Sequence, residues 1–299
     1  MSTIEQASKR LEELRKAGVD MPWIRDADSA ALSAVQPAAL VDALHDSAPA
    51  PAPLMPPKHH ADIDLAGLQQ AGYLVPDAPR SRLLDEFRGV KRPLLGNALG
   101  NKPAGAVERG NLIMITSSLP GEGKTFTSVN LAMSMAMELN HSVLLVDADT
   151  ARMAAAQRLG LQGSRRGLID LLLDPTLDLS DVELSTNVDK LTFLPAGTRN
   201  ERATEIFSSQ SMVDLLNRLA AHGQDRIVIF DSPPLLPSAE ARALAPQMGQ
   251  VVLIVHAGKT QQGSVQQSLS ILEENPVVMS LLNQSRTPSS ASPYGYYSY

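Results

Sequence analysis

The chain is 299 residues long and 43% hydrophobic, enough for one large domain or two modest ones with a proper core. A net charge of −6 spread along the sequence gives no electrostatic footing for nucleic acid, and the lack of cysteine excludes disulfides, thiolate metal sites and cysteine nucleophiles. No run approaches the roughly 18 apolar residues of a membrane span, and Met1 to Lys9 lacks a signal-peptide core, so a cytoplasmic protein is expected.

In chain order, residues 3–17 set Ile4, Ala7, Leu11 and Leu14 at helical spacing and stop at Gly18, which predicts a short amphipathic helix within segment 1–26. Residues 27–62 fill with Ala, Ser and Pro, including Ala48-Pro-Ala-Pro-Ala-Pro53, and read as a disordered Pro/Ala-rich linker; His59 and His60 there read as solvated. Residues 63–283 form the main domain. A helix is expected at Ser81–Lys91, then a loop across Gly96–Gly110, then strands alternating with helices. The strands are Leu112–Thr116, Val143–Asp147, Leu191–Pro195, Arg226–Asp231, Val251–His256 and Val277–Asn283. The helices are Thr125–Glu138, Leu168–Leu173, Ser209–Ala221, Ala239–Ala245 and Ser264–Glu274. This alternation predicts an α/β fold: a mostly parallel sheet with helices on both faces and ligands beyond the carboxyl ends of the strands.

The strongest motif is Ser118-Leu-Pro-Gly-Glu-Gly-Lys-Thr125, between the strand at 112 and the helix at 125. Small residues there let consecutive backbone N–H groups face a polyphosphate at a helix N-terminus. The loop residues Pro120, Gly121, Glu122, Gly123, Lys124, Thr125 and Phe126 are therefore candidates for binding ATP, with Lys124 reaching the outer phosphates and Thr125 the Mg²⁺. The usual spacing wants Gly at position 118, where this chain has Ser. Two further strands end in acid, at Asp147-Ala-Asp149 and at Asp231. A parallel sheet brings all three carboxylates to the phosphate-loop edge, where a hard cation needs oxygen ligands and a hydroxyl nucleophile needs a proton acceptor.

Ser118–Thr125, Leu144–Arg152, Ile227–Pro234 and the terminal Tyr294-Gly-Tyr-Tyr-Ser-Tyr299 together resemble the bacterial tyrosine kinase family, nearest to the free-standing autokinases of exopolysaccharide clusters linked to exosortase systems. The resemblance runs from about Leu83 to Tyr299 and implies a P-loop NTPase-type fold. It implies ATP-dependent tyrosine phosphorylation that regulates polysaccharide polymerisation and export. It also implies a homo-oligomer, a membrane-embedded activator of the chain-length-regulator type, a cognate phosphotyrosine phosphatase, and a location at the inner membrane through that activator. Lys124 would hold the phosphates, Thr125, Asp149 and Asp231 would surround Mg²⁺, and Asp147 would stand nearest the attacking phenol. The family's basic residue two positions after the second Asp is here Arg152, three after. The family's helical charge element maps to Asp85, Arg88 and Lys91, along one side of a helix that would meet a neighbouring subunit. By likeness to related ATPases, Asn283 would read the adenine.

Of five tyrosines, Tyr294, Tyr296, Tyr297 and Tyr299 fall in the last six residues and only Tyr73 lies elsewhere. With the Ser/Pro run before them they read as a mobile acceptor tail, segment 284–299, phosphorylated between subunits. Two alternatives share the phosphate loop and acidic strand ends. One is a positioning ATPase of the MinD/ParA type, which carries a second loop lysine where this chain has Leu119; the other is a regulatory ATP-binding subunit without turnover.

Overall fold

The computed structural model describes residues 54–100, 105–138, 140–161, 165–222 and 226–285. The N-terminal helix segment, most of the linker, and Tyr294, Tyr296, Tyr297 and Tyr299 lie outside the described residues.

Within them the elements run β1 (His59–Ala61), α1 (Leu65–Gln70), α2 (Arg82–Leu99), β2 (Leu112–Ser117), α3 (Lys124–Ala136), β3 (Ser142–Asp147), α4 (Ala154–Arg158), α5 (Leu168–Leu173) and α6 (Leu179–Val182). They continue as β4 (Leu184–Thr186), β5 (Leu191–Leu194), α7 (Ala203–Phe207), α8 (Gln210–Ala220), β6 (Arg226–Asp231), α9 (Ala239–Leu244), β7 (Gln250–His256), α10 (Gln262–Ile271) and β8 (Val278–Asn283).

The eight strands form one sheet in the order β1-β4-β5-β3-β6-β2-β7-β8, parallel throughout except for the antiparallel pair β4–β5. Alternation along the central strands feeds two cores. Ile113, Ile115, Val143, Leu145, Ile227 and Ile229 face α1 to α4, while Leu112, Met114, Leu144, Val146, Val228 and Phe230 face α5, α7, α8 and α9. Both faces are covered, which explains why these strands read as unbroken apolar runs. The expected mostly parallel α/β sheet is what the chain forms. No helix among the described residues is long and apolar enough to cross a membrane.

Three expectations need correction. The linker does not extend to residue 62: His59–Ala61 pairs with β4, the Lys58 N–H donates to the Ser180 carbonyl, and Lys58 Nζ sits 2.6 Å from Asp181. Ala61 and Ile63 are buried, so this segment adds apolar cover and a partner to an otherwise open strand, and His60 is engaged by Ser185 and Asp62.

Secondly, α2 does not stop at Lys91 but runs to Leu99 through Pro93, and ends on Gly100 in the left-handed region at φ 70°. Long-range contacts outweigh the proline here: Leu94 is wholly buried, the Gln250 amide donates to the Leu94 carbonyl, and the Asn97 amide donates to Gln250 Oε1 at 2.8 Å.

Thirdly, Lys91 does not lie open beside Asp85 and Arg88 but is buried in its own chain. It is 6% exposed, donates to the Ser134 carbonyl at 2.7 Å, and pairs with Glu138 at 2.6 Å. Its charge serves the carbonyl end of α3, where a helix dipole favours a cation. Asp85 and Arg88 remain exposed and pair with each other at 2.9 Å.

Candidate functional site

The phosphate loop joins β2 to α3 at the carboxyl edge of the sheet's centre. Gly121 and Gly123 lie at φ 81° and 99°, a region that glycine enters without strain. A Cβ on Gly123 would stand 2.0 Å from the Asn283 amide nitrogen, so a side chain there would also have to displace that amide.

Ser118 occupies the place where glycine is usual, and the structure shows why that is tolerated. Its side chain turns away from the loop: it is wholly buried, its hydroxyl lies 3.3 Å from the Ser264 carbonyl, and it accepts from Ser268 Oγ at 2.9 Å on α10. Ser117 Oγ closes the loop's base by donating to the Leu119 carbonyl at 2.7 Å. Leu119 itself is exposed on the loop.

Glu122 is also turned inward, 4% exposed. One carboxylate oxygen accepts the Leu119 N–H at 2.9 Å, and the other accepts the Thr260 hydroxyl. Its carbonyl accepts from the Asn283 amide at 2.9 Å. Of the predicted loop residues, Glu122 thus offers a ligand its backbone and not its carboxylate. Asn283 is likewise committed, since its Oδ1 takes the Gln284 N–H. It holds the loop, and beside it lies a cavity of about 610 Å³ lined by His256, Ala257, Gly258, Lys259 and Gln284. His256 Nδ1 is buried without a partner in the same segment. The Phe126 ring packs on Tyr73 at 4.9 Å and so stabilises the first turn of α3 from behind.

The sheet register sets Asp147 directly beside Asp231 on adjacent strands. Both are buried. Asp231 Oδ1 accepts from Ser128 Oγ at 2.9 Å, and its Oδ2 is buried with no partner. Burial drives its pKa up to about 6, against the pull of the Thr125 and Ser128 hydroxyls and of Lys124. Asp147 is raised well above the carboxylate range, by burial first and then by Asp231. Its two oxygens accept the N–H groups of Asp149 at 3.2 Å and Ala156 at 3.3 Å, which ties the strand end to α4. Asp149 is 6% exposed and takes the Arg152 N–H at 3.1 Å, so the shifted Arg152 is fixed by its backbone while its side chain stays exposed. Lys124 is buried, which lowers its pKa, while Asp231 and Asp149 attract its charge.

The glycine loop, a buried lysine and an orphaned carboxylate oxygen therefore meet at one edge. Among the described residues no cluster of three or more acidic, histidine or cysteine side chains makes a ready cage for a metal. A magnesium ion arriving with phosphates needs no cage, since it takes one or two carboxylates and keeps water. The unpartnered Asp231 Oδ2, the Thr125 hydroxyl and Asp149 fit that demand.

The fold and this edge define a P-loop protein, and the model of a family described as an AAA domain matches residues 110–274. Tyrosine-protein kinase YwqD of Bacillus subtilis (strain 168) is 31% identical over 187 residues, 62% of this chain and 76% of that protein. The crystal structure of the VpsO kinase domain is 30% identical with a TM-score of 0.52, and covers 68% of this chain and 100% of that one. The succinoglycan biosynthesis transport protein ExoP of Rhizobium meliloti (strain 1021) is 29% identical over 220 residues; these are 73% of this chain and only 26% of ExoP. The chain belongs to this AAA-domain family, in its branch of bacterial tyrosine-protein kinases.

Sequence reasoning missed Ser128, Thr260 and Ser268. Ser128 lies one helical turn beyond Lys124, which was a legible signal; Thr260 and Ser268 act from more than 130 residues away in the chain and left none.

Proposed function

We propose that this protein is an ATP-dependent protein-tyrosine autokinase that modifies the tyrosine cluster of a neighbouring copy, and that it serves exopolysaccharide polymerisation and export. The observation that carries this reading is the place where the tail starts. Asn283, the last residue of β8, is hydrogen-bonded to Glu122 of the phosphate loop, so the tyrosine-rich segment leaves at the edge that holds the acidic strand ends.

The roles follow from the chain's own groups. Loop N–H groups and Lys124 bind the β- and γ-phosphates, while Thr125, Asp149 and Asp231 take the magnesium ion, which when bound neutralises charge on the phosphates. The phenol oxygen attacks the γ-phosphorus, the bond from that phosphorus to the β–γ bridging oxygen breaks, and ADP leaves. The phenolic proton passes to the Asp147/Asp149 pair. Burial raises the basicity of Asp147, and Asp149 is the more open of the two. Asp85 and Arg88, exposed on α2, are the candidates left for contact between copies. The membrane-embedded activator and the phosphatase belong to the same reading, as does a peripheral place at the inner membrane.

From Asn283 the sixteen remaining residues span about 50 Å when extended, enough to reach a second copy. Mixing a full-length Lys124→Met chain with an active chain that lacks residues 286–299 tests the reading with labelled Mg-ATP. Label on the inactive copy's tail is expected. An unlabelled mixture, beside a wild-type chain that labels itself, leaves transfer within one chain; a wild-type chain that never labels tyrosine ends the kinase reading.

A further inference from the structure

A loop built to surround a polyanion contains a carboxylic acid, and that acid is buried. Glu122 in the open loop would repel phosphate. Folded inward, it links three segments that lie far apart in sequence. Its side chain takes the Leu119 N–H within the loop and the Thr260 hydroxyl after β7, and its carbonyl takes the Asn283 amide at the end of β8. Thr260 Oγ in turn accepts the His256 N–H at 2.9 Å. His256 and Gln284, the neighbours of these partners, line the cavity beside the loop. The Thr260 and Asn283 links of residue 122 thus join the phosphate loop to the two segments that supply those cavity walls.

We propose that Glu122 is a positioning residue, a brace that fixes the phosphate loop against the cavity formed by His256, Ala257, Gly258, Lys259 and Gln284, so that the two ends of a nucleotide are bound in one step. The inference rests on the nucleotide reading given above. Two half-sites held at fixed spacing bind a ligand that spans them far better than either fragment, because the second contact becomes intramolecular. Loosening the brace removes that gain and leaves each half-site nearly intact. A ligand that uses only the phosphate loop does not draw on the brace in the same way.

The role is one of shape and not of charge at the reacting centre, and this distinguishes it from a metal ligand or a proton acceptor. Glutamine can accept the Leu119 N–H with its oxygen and donate its amide to Thr260, so it keeps both links; alanine keeps neither.

The test measures dissociation constants by calorimetry for the whole chain with magnesium, using ATP and, separately, inorganic triphosphate. In Glu122→Ala the ATP affinity is expected to fall about ten- to a hundredfold, the scale of losing hydrogen bonds to a charged group, with triphosphate affinity changed by about threefold or less. Thr260→Val is expected to move the ATP-to-triphosphate ratio in the same direction. The double variant should lose less than the sum of the two, as contacting residues do. Glu122→Gln should recover most of the ratio. Equal losses for the two ligands, or an unchanged ratio in Glu122→Ala, overturn the brace, and so does a Glu122→Gln chain as impaired as Glu122→Ala. An unaltered chain that binds neither ligand overturns the nucleotide reading, and the brace with it.

Discussion

At pH 8, without magnesium or nucleotide, Asp231→Asn is expected to melt at a higher temperature than the unaltered chain while losing phosphotransfer. Asp231 is enclosed between β2 and β3, one of its oxygens has no partner, and its pKa stands at about 6 against an ordinary 3.8. The folded state therefore binds more protons than the unfolded state between these values. Stability is fully present below the lower value and falls as pH rises through the upper one. About two pKa units correspond to a destabilisation of ~3 kcal/mol at pH 8, roughly half of which is present at pH 5. Asparagine carries no charge to desolvate, though its amide N–H groups need acceptors, so a net gain of about 1–3 kcal/mol is expected. For a domain of this size that is a rise of about 3–10 °C. Thermal melts of both chains at pH 5 and pH 8 decide the matter: the gain should fall by about 1.5 kcal/mol at the lower pH. A gain of equal size at both, or a lower melting temperature for the variant at pH 8, would refute the claim that burial makes an ionised Asp231 costly to the fold.

Lys124→Met should weaken ATP binding by about 1.5–3 kcal/mol, read by calorimetry, with little loss of thermal stability, because the lysine's own burial already disfavours its charge. Gly123→Ala should abolish binding through strain at φ 99° and the clash with Asn283, which the same titration would show. Lys91→Met should lower the melting temperature by leaving the Ser134 carbonyl and Glu138 without their partner, and leave the subunit count by light scattering unchanged. Ser118→Gly restores the usual loop residue yet should destabilise the chain by about 1 kcal/mol in urea melts, since it deletes the hydroxyl that meets α10.

The strand–loop–helix of the phosphate site was legible because its signals are contiguous: an apolar run, glycines in a loop, and Gly-Lys-Thr at a helix start. Asp147, Asp149 and Asp231 were legible for a related reason, since a parallel sheet obliges every strand's carboxyl end to the same edge. Short elements were not. β1, β4, α4 and α6 span three to five residues each and have no periodicity to read, and β1 exists only because β4 offers it an edge.

By itself the sequence determined which residues could carry charge, phosphate and metal, and that they would share one edge of a layered α/β sheet. It did so because backbone preference and apolar patterning act over a few neighbouring residues. Only the tertiary structure decided which way those side chains turn. Glu122 and Ser118 leave the loop for partners on β7's exit and on α10, Asn283 commits its amide to the loop, and Lys91 caps α3 where a neighbouring subunit had been expected. Each of these directions is set by hydrogen-bond partners 43 to 161 residues away in the chain, so a buried polar group's need for a particular partner leaves no trace in its local sequence.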